Sequence, residues 1–215
     1  MCLDIAMSRL LILVDDSLSM MGVYSNTTTT YLDTAKAVAG NLLDVLVSSR
    51  LEVLVQAQSI FIENDHGSKL GFSRDWKKLR SDINLIQVKD KSDFFAAVVK
   101  ASRLLMGNDE EQAGHIVYLT DGRLMTKNFV ERIEYLDACM PGSLHILTLA
   151  SQKVENPLIE QIVQRVKDNG KRASLVFLDL QSSSSFAEVT SLLRLFYIFK
   201  LIDIIRSYLT MNSHR

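Results

Sequence analysis

The chain has 215 residues, of which 47% are hydrophobic and 23% charged, with a formal net charge of -1. That length and apolar content support one substantial core and leave little room for two full domains, while the balanced charge excludes a whole-chain field that would draw the protein to nucleic acid or an acidic membrane. Cys2 and Cys139 are the only cysteines, so neither a disulfide framework nor a cysteine zinc site is available and a reducing, intracellular compartment is expected. Met1 to Ser8 carries Asp4 and no basic residue ahead of its apolar run, and does not read as a signal peptide.

Leu10 to Val14 is an unbroken apolar run bounded by polar residues, the pattern of a strand buried on both faces of a parallel sheet. Its end turns polar at once. Asp15, Ser17 and Ser19 fall at alternate positions, so a loop leaving the strand can aim one carboxylate and two hydroxyls at a common point. Such an oxygen-only set suits Mg²⁺, Mn²⁺ or Ca²⁺ and disfavours thiophilic metals. The same residue types also cap helices and turns, which leaves a purely structural role open.

Met21 to Thr30 reads as a polar loop ending in four threonines. From Tyr31, Leu32, Ala35, Val38, Ala39, Leu42, Leu43 and Leu46 recur at three- and four-residue steps, which predicts a helix with one apolar face. Leu51–Val55 and Ile60–Ile62 then read as two short strands forming an antiparallel pair. Ser73–Ile86 is expected to be a capped short helix, and Ser92–Leu105 another, with Ser92 or Asp93 as its N-cap.

The second landmark is His115–Gly122, where a short apolar strand again ends in an acid, Asp121, with Gly122 permitting a sharp turn beside it. Ligands in open α/β sheets sit outside the carboxyl ends of strands, where strand order reverses, so Asp15 and Asp121 meet if their strands are neighbours there. Beyond this point the alternation continues: helix Phe129–Cys139, strand Leu144–Leu149, helix Pro157–Asp168 and strand Ser174–Leu178, with Gly170 as a helix stop. The expected fold is therefore α/β, a doubly wound, mostly parallel sheet with helices on both faces and one antiparallel edge strand. His66, His115, His145 and His214 show no ligand spacing and are expected at the surface or at strand edges.

Asp15-x-Ser17-x-Ser19 after one buried strand and Thr120-Asp121-Gly122 after a later one resemble the von Willebrand factor A domain and its metal-ion-dependent adhesion site. The resemblance spans roughly Arg9 to Leu180 and implies bound Mg²⁺ or Mn²⁺. It also implies a further hydroxyl ligand before a middle helix, where Ser92 stands in place of the family's threonine. The metal set so implied is Asp15, Ser17, Ser19, Ser92 and Asp121. On this reading residues 1–8 are an extension, 9–200 the A domain and 201–215 an apolar, basic tail.

The strings Val14–Met20, Phe72–Trp76, Asp90–Ser92 and Val117–Gly122 are further similar to the Integrator subunit 14 family, and Tyr31–Lys36 to the A domain of the subunit 6 family. That similarity implies a nuclear location, partners among the subunits of a multiprotein complex acting in small nuclear RNA 3′-end processing, and no direct nucleic-acid contact. The subunit 14 family continues into a β-barrel and a helical region for which this chain has no length, so a truncated product, a fragment or a divergent relative is expected. Other intracellular A domains, in the proteasome and in transcription and repair assemblies, stay open as alternatives.

Catalysis of the usual kinds lacks its parts. The Asp15-Asp16 pair also suits the acid pocket of a phosphoacceptor receiver, but that family needs an acceptor aspartate after its third strand and a lysine before proline. The chain offers Gln56-Ala57-Gln58-Ser59 and no lysine–proline pair. There is no glycine-rich phosphate loop and no nucleophile paired with a base, so a non-enzyme is expected. In the tail, Phe186–Leu209 is apolar nearly all round a helix, yet Arg194, Lys200, Asp203 and Arg206 interrupt it. Each ion costs about 2.5–3.5 kcal/mol at a bilayer centre, which argues against a membrane span. The excess apolar surface points either to a covering partner or to an abnormal terminus.

Overall fold

A computed structural model of the chain describes residues 9–23, 28–47, 52–63, 71–89, 93–106, 114–123, 142–150 and 156–179. Five strands, β1 (Arg9–Val14), β2 (Glu52–Ala57), β3 (Gly114–Thr120), β4 (Ser143–Ala150) and β5 (Arg172–Asp179), form one sheet in the order β2-β1-β3-β4-β5. Every strand pairing is parallel. The helices between them are α1 (Tyr31–Leu46), α2 (Gln58–Glu63), α3 (Trp76–Leu85), α4 (Phe94–Met106) and α5 (Pro157–Asp168), with a single 3-10 turn at Leu18–Met21.

The apolar run of β1 is explained by burial on two sides. Leu10, Ile12 and Val14 join the cluster built with α1 and α3, whereas Leu11 and Leu13 join the one built with Phe61 of α2, α4 and α5. A strand with solvent on neither face has no polar position to spare. Both α1 and α3 present their periodic apolar residues to the first cluster, among them Leu32, Ala35, Leu43, Leu79 and Ile83. On the other side Phe94, Val98, Leu105, Ile159 and Val166 close the second.

Local chemistry sets the helix ends. Thr30 caps α1 in a reciprocal box, its Oγ1 accepting from the Asp33 N–H at 3.0 Å while Asp33 Oδ2 accepts from the Thr30 N–H at 3.1 Å. Asp75 caps α3, and Asn156 caps α5 immediately before Pro157. Asp93 Oδ1 accepts from the Ala96 N–H, which settles the start of α4 on Asp93. Gly170, at φ +71°, ends α5 in the left-handed region.

Two expectations are corrected. Ile60–Ile62 is not a strand: it lies inside α2, whose Ser59 N–H donates to Asp16 Oδ1 at 3.0 Å and whose Ser59 hydroxyl donates to Asp16 Oδ2. A carboxylate from the β1 loop thus satisfies the start of the helix, and this tertiary contact overrides the strand preference of Ile-Phe-Ile. The antiparallel edge strand is likewise absent among the described residues. What remains of it is an isolated bridge between Val53 and Ser73. The helix at Phe129–Cys139 and the tail beyond Leu180 fall outside the described residues. Among the described residues no helix is long and apolar enough to cross a membrane.

Candidate metal centre

In the order β2-β1-β3-β4-β5, the chain leaves β1 for one neighbour and later returns to β1's other side, so strand order reverses between β1 and β3. Val14 is in register with Leu119, and the Asp15 N–H continues the ladder by donating to the Leu119 carbonyl at 2.8 Å. The two strands therefore end together. Asp15 and Asp121 both come to rest buried at this shared edge.

The loop after β1 is shaped by its own short polar residues. Asp15 Oδ1 accepts from the Ser17 N–H at 2.9 Å, which folds the loop back over the strand end. Ser17 Oγ and Ser19 Oγ then lie 3.0 Å apart, half-buried. Asp15 Oδ2 accepts from Thr120 Oγ1 at 2.7 Å, and Thr120 Oγ1 in turn accepts from the Gly122 N–H at 3.1 Å. Gly122 sits at φ +84°, a turn that a residue with a Cβ adopts only with strain. Asn156 Nδ2 donates to the Gly122 carbonyl at 2.9 Å, tying the start of α5 to the same turn.

The two buried carboxyls of this edge lie close together. Burial pushes the Asp15 carboxyl above its ordinary value, its hydrogen bonds from Thr120 and Ser17 oppose the shift, and the nearby negative charge of Asp121 adds to it. Asp121 Oδ1 accepts from the Arg123 N–H at 3.0 Å, but Asp121 Oδ2 is buried with no hydrogen-bond partner. Arg123 Nε stands 4.0 Å from that oxygen, too far for a hydrogen bond. An oxygen lone pair hidden from water and left unbonded is expensive, and a hard cation is the group that would satisfy it.

Asp15, Ser17, Ser19 and Asp121 are thus gathered at one edge of the sheet, and their oxygen-only chemistry fits Mg²⁺ or Mn²⁺. Ser92 lies outside the described residues. In the sequence Thr120 stands in the second motif without a role for its hydroxyl, and Asn156, Tyr118 and Gln58 are not singled out for the site. Thr120 holds the second oxygen of Asp15, and Asn156 pins the Asp121–Arg123 turn. Below them a buried pair, the Tyr118 hydroxyl donating to Gln58 Oε1, links β3 to α2. Asp16 is committed elsewhere, both of its oxygens being engaged by Ser59.

A parallel sheet that collects buried carboxylates and hydroxyls at its switch point defines a class, the α/β domain with an oxygen-lined site at its carboxyl edge. Within that class the chain belongs to the von Willebrand factor type A domain family, matched over residues 10–123, from β1 through the Asp121 turn. Domains of this family generally mediate contacts between proteins. Among solved structures the chain is similar to an aerotolerance-related membrane protein from Bacteroides fragilis, at 16% identity and a TM-score of 0.56, over 87% of this chain and 98% of that one. It is equally similar to the conserved hypothetical protein BatB from Bacteroides thetaiotaomicron, at 16% identity and a TM-score of 0.56, over 87% and 96%. The PilB minor pilin of Streptococcus sanguinis shares 12% identity at a TM-score of 0.63, over 94% of this chain and 62% of that one. At such identities the likeness is one of fold. No curated protein matches the chain, and these similarities lend no support to an Integrator subunit or a nuclear setting.

Proposed function

We propose that the chain is a non-catalytic, metal-dependent protein-interaction module. Mg²⁺ or Mn²⁺ is held by Ser17, Ser19 and Ser92 directly and by Asp15 and Asp121 directly or through water. When bound, the ion supplies a positive centre with an open coordination position that an acidic side chain of a partner can fill. The observation that carries this reading is the buried, unpartnered Oδ2 of Asp121 beside the burial-strained carboxyl of Asp15. Isothermal titration of the purified chain with Mg²⁺ and Mn²⁺ is expected to give binding at millimolar metal or below. Absence of heat at millimolar metal would sink the proposal.

Support for a non-enzymatic role comes from what surrounds the acids. Among the described residues His115 and His145 lie toward the amino ends of β3 and β4, away from the site, so neither imidazole stands beside the hydroxyls of Ser17 and Ser19. A phosphoacceptor switch is the competing chemistry. Incubation with acetyl phosphate is expected to give no aspartyl phosphate on Asp15 or Asp16, and a stoichiometric mass-shifted species would favour the switch.

The assembly it serves is read from the sequence strings shared with Integrator subunits, which point to a nuclear complex processing small nuclear RNA. Affinity purification of the tagged chain followed by mass spectrometry is expected to recover Integrator subunits, with recovery weakened by Asp15→Ala. Recovery of proteasome or repair-factor subunits instead would replace that assignment and leave the metal-dependent module standing.

A further inference from the structure

The loop that supplies Ser17 and Ser19 carries a second set of side chains on its outer surface. Leu18, Met21 and Val23 are 55%, 59% and 54% exposed. They make up three of the five large hydrophobic residues exposed among the described residues, the others being Val47 and Leu85. A scattered exposed leucine needs no explanation, but three within six positions, on the very loop that holds the site's hydroxyls, do.

Their exposure does not come from a loose loop. Met20 is fully buried in the core and anchors the 3-10 turn, while the Met20 N–H donates to the Ser17 carbonyl at 3.0 Å. The Tyr31 N–H donates to the Gly22 carbonyl at 2.9 Å, and Val23 bridges Thr30 in antiparallel fashion. Gly22 lies so close to the Tyr31 ring that a Cβ there would meet it at 2.7 Å. With Met20 directed inward and the base clamped on both sides, Leu18 and Met21 are held outward around Ser19.

The loop from Ser17 to Val23 contains no charged residue. The loop after β3 adds Arg123, its side chain 62% exposed and its guanidinium beside Asp121. The loop after β1 thus brings apolar side chains to the site and the loop after β3 a cation, a complement to an anionic group carried on an apolar strip.

We propose that Leu18, Met21 and Val23 form an apolar collar that selects partner segments in which an Asp or Glu is flanked by aliphatic side chains. This rests on the metal-dependent reading above and adds its specificity: the ion and Arg123 receive the carboxylate, and the collar buries its neighbours.

The test uses the full chain and a displayed library of short peptides with a fixed central aspartate and random flanks, selected in millimolar Mg²⁺. Enrichment of Leu, Ile, Val or Met beside the aspartate is expected. The double variant Leu18→Ser/Met21→Ser should bind the selected peptides roughly tenfold or more weakly while keeping its Mg²⁺ affinity by titration. Val23→Thr, which preserves the β-branched shape at the bridge, should give a smaller loss. Polar or basic flanks, no enrichment by a chain that does bind Mg²⁺, or unchanged peptide binding by the double variant would each overturn the collar and leave the metal site intact. A concentration-dependent dimer abolished by the same two substitutions would assign the surface to a second copy and overturn the peptide role. Failure of the wild-type chain to take up Mg²⁺ removes the underlying reading, and the collar with it.

Discussion

The two ends of the sheet handle buried polar groups in opposite ways. At the amino end, His115 Nδ1 and Ser143 Oγ lie 2.8 Å apart across β3 and β4, and His145 Nδ1 and Ser174 Oγ repeat the same 2.8 Å rung across β4 and β5. Arg9 and Glu52 add an ion pair between β1 and β2 at 3.6 Å. At the carboxyl end Asp15, Asp16 and Asp121 are all buried; Ser59 engages both oxygens of Asp16, but Asp121 Oδ2 has no hydrogen-bond partner. Pairing polar groups across neighbouring strands stabilises the sheet; leaving a buried carboxylate oxygen without a hydrogen bond in the same sheet costs stability, and the proposed metal would complete it.

The sharpest way to break that contrast is Asp121→Asn. Mg²⁺ affinity should fall by roughly a hundredfold or more, because a charged ligand becomes a neutral amide. The metal-free variant should melt at or above the wild-type temperature, since a buried carboxylate with one oxygen unbonded has been replaced by a group that is less costly to bury. Added Mg²⁺ should raise the melting temperature of the wild type and leave the variant unmoved. A variant that unfolds more easily than the wild type without metal would show that Asp121 is structural.

Ser143→Ala makes the reciprocal change at the paired end. It leaves a largely buried imidazole without its hydroxyl partner, so the chain should lose about 1–3 kcal/mol in denaturant unfolding with its Mg²⁺ titration unchanged. His115 also gives this end a pH signature. Burial first, and the charge of Arg172 second, lower its pKa from the ordinary 6.5. Both states are neutral above that value. As pH falls through it toward the folded value, the unfolded chain takes up a proton that the folded chain refuses, so the stability due to neutral His115 is lost. The raised carboxyls of Asp15 and Asp16 act in the opposite sense, their contribution being lost as pH rises. Comparing wild-type and His115→Gln unfolding between about pH 5 and pH 8 cancels the carboxyl terms, and a flat difference would refute the assignment.

Much of this contrast is legible in the residues themselves. Strands buried on both faces leave continuous apolar runs, which is why Leu10–Val14 and the strand before Asp121 stand out, and the abrupt turn to Asp and Ser marks where each run meets the site. Asn156 before Pro157 is a readable cap, but nothing local announces that its amide reaches the Gly122 carbonyl. Thr120 belongs to the second motif, but that its hydroxyl donates to Asp15 is not written in that string. The misread segment, Ile60–Ile62, fails for a related reason: its helix is begun by Asp16, 43 positions earlier than Ser59, and no window of sequence contains both. Local pattern locates strands and acids; contacts between distant elements decide which acid is bonded and which is left open.

The smallest expected effect separates location from pairing. The capping box of α1 stands at the head of the helix that follows the site loop, so Thr30 shares the carboxyl end of the sheet with Asp15. Yet its hydroxyl is already engaged, accepting from the Asp33 N–H at 3.0 Å and donating to Asp33 Oδ2 at 2.7 Å, and that second bond is the chief reason the Asp33 carboxyl lies below its ordinary value. If position at this end were what makes a hydroxyl functional, Thr30→Ala would weaken Mg²⁺ binding. If an open bonding position is what matters, the substitution should cost about 1 kcal/mol of stability, as lost N-caps do, and leave the metal titration where it was. Thermal unfolding and titration of the one variant read both quantities. A fall in metal affinity without a fall in stability would bring Thr30 into the site and dissolve the distinction drawn between the two ends.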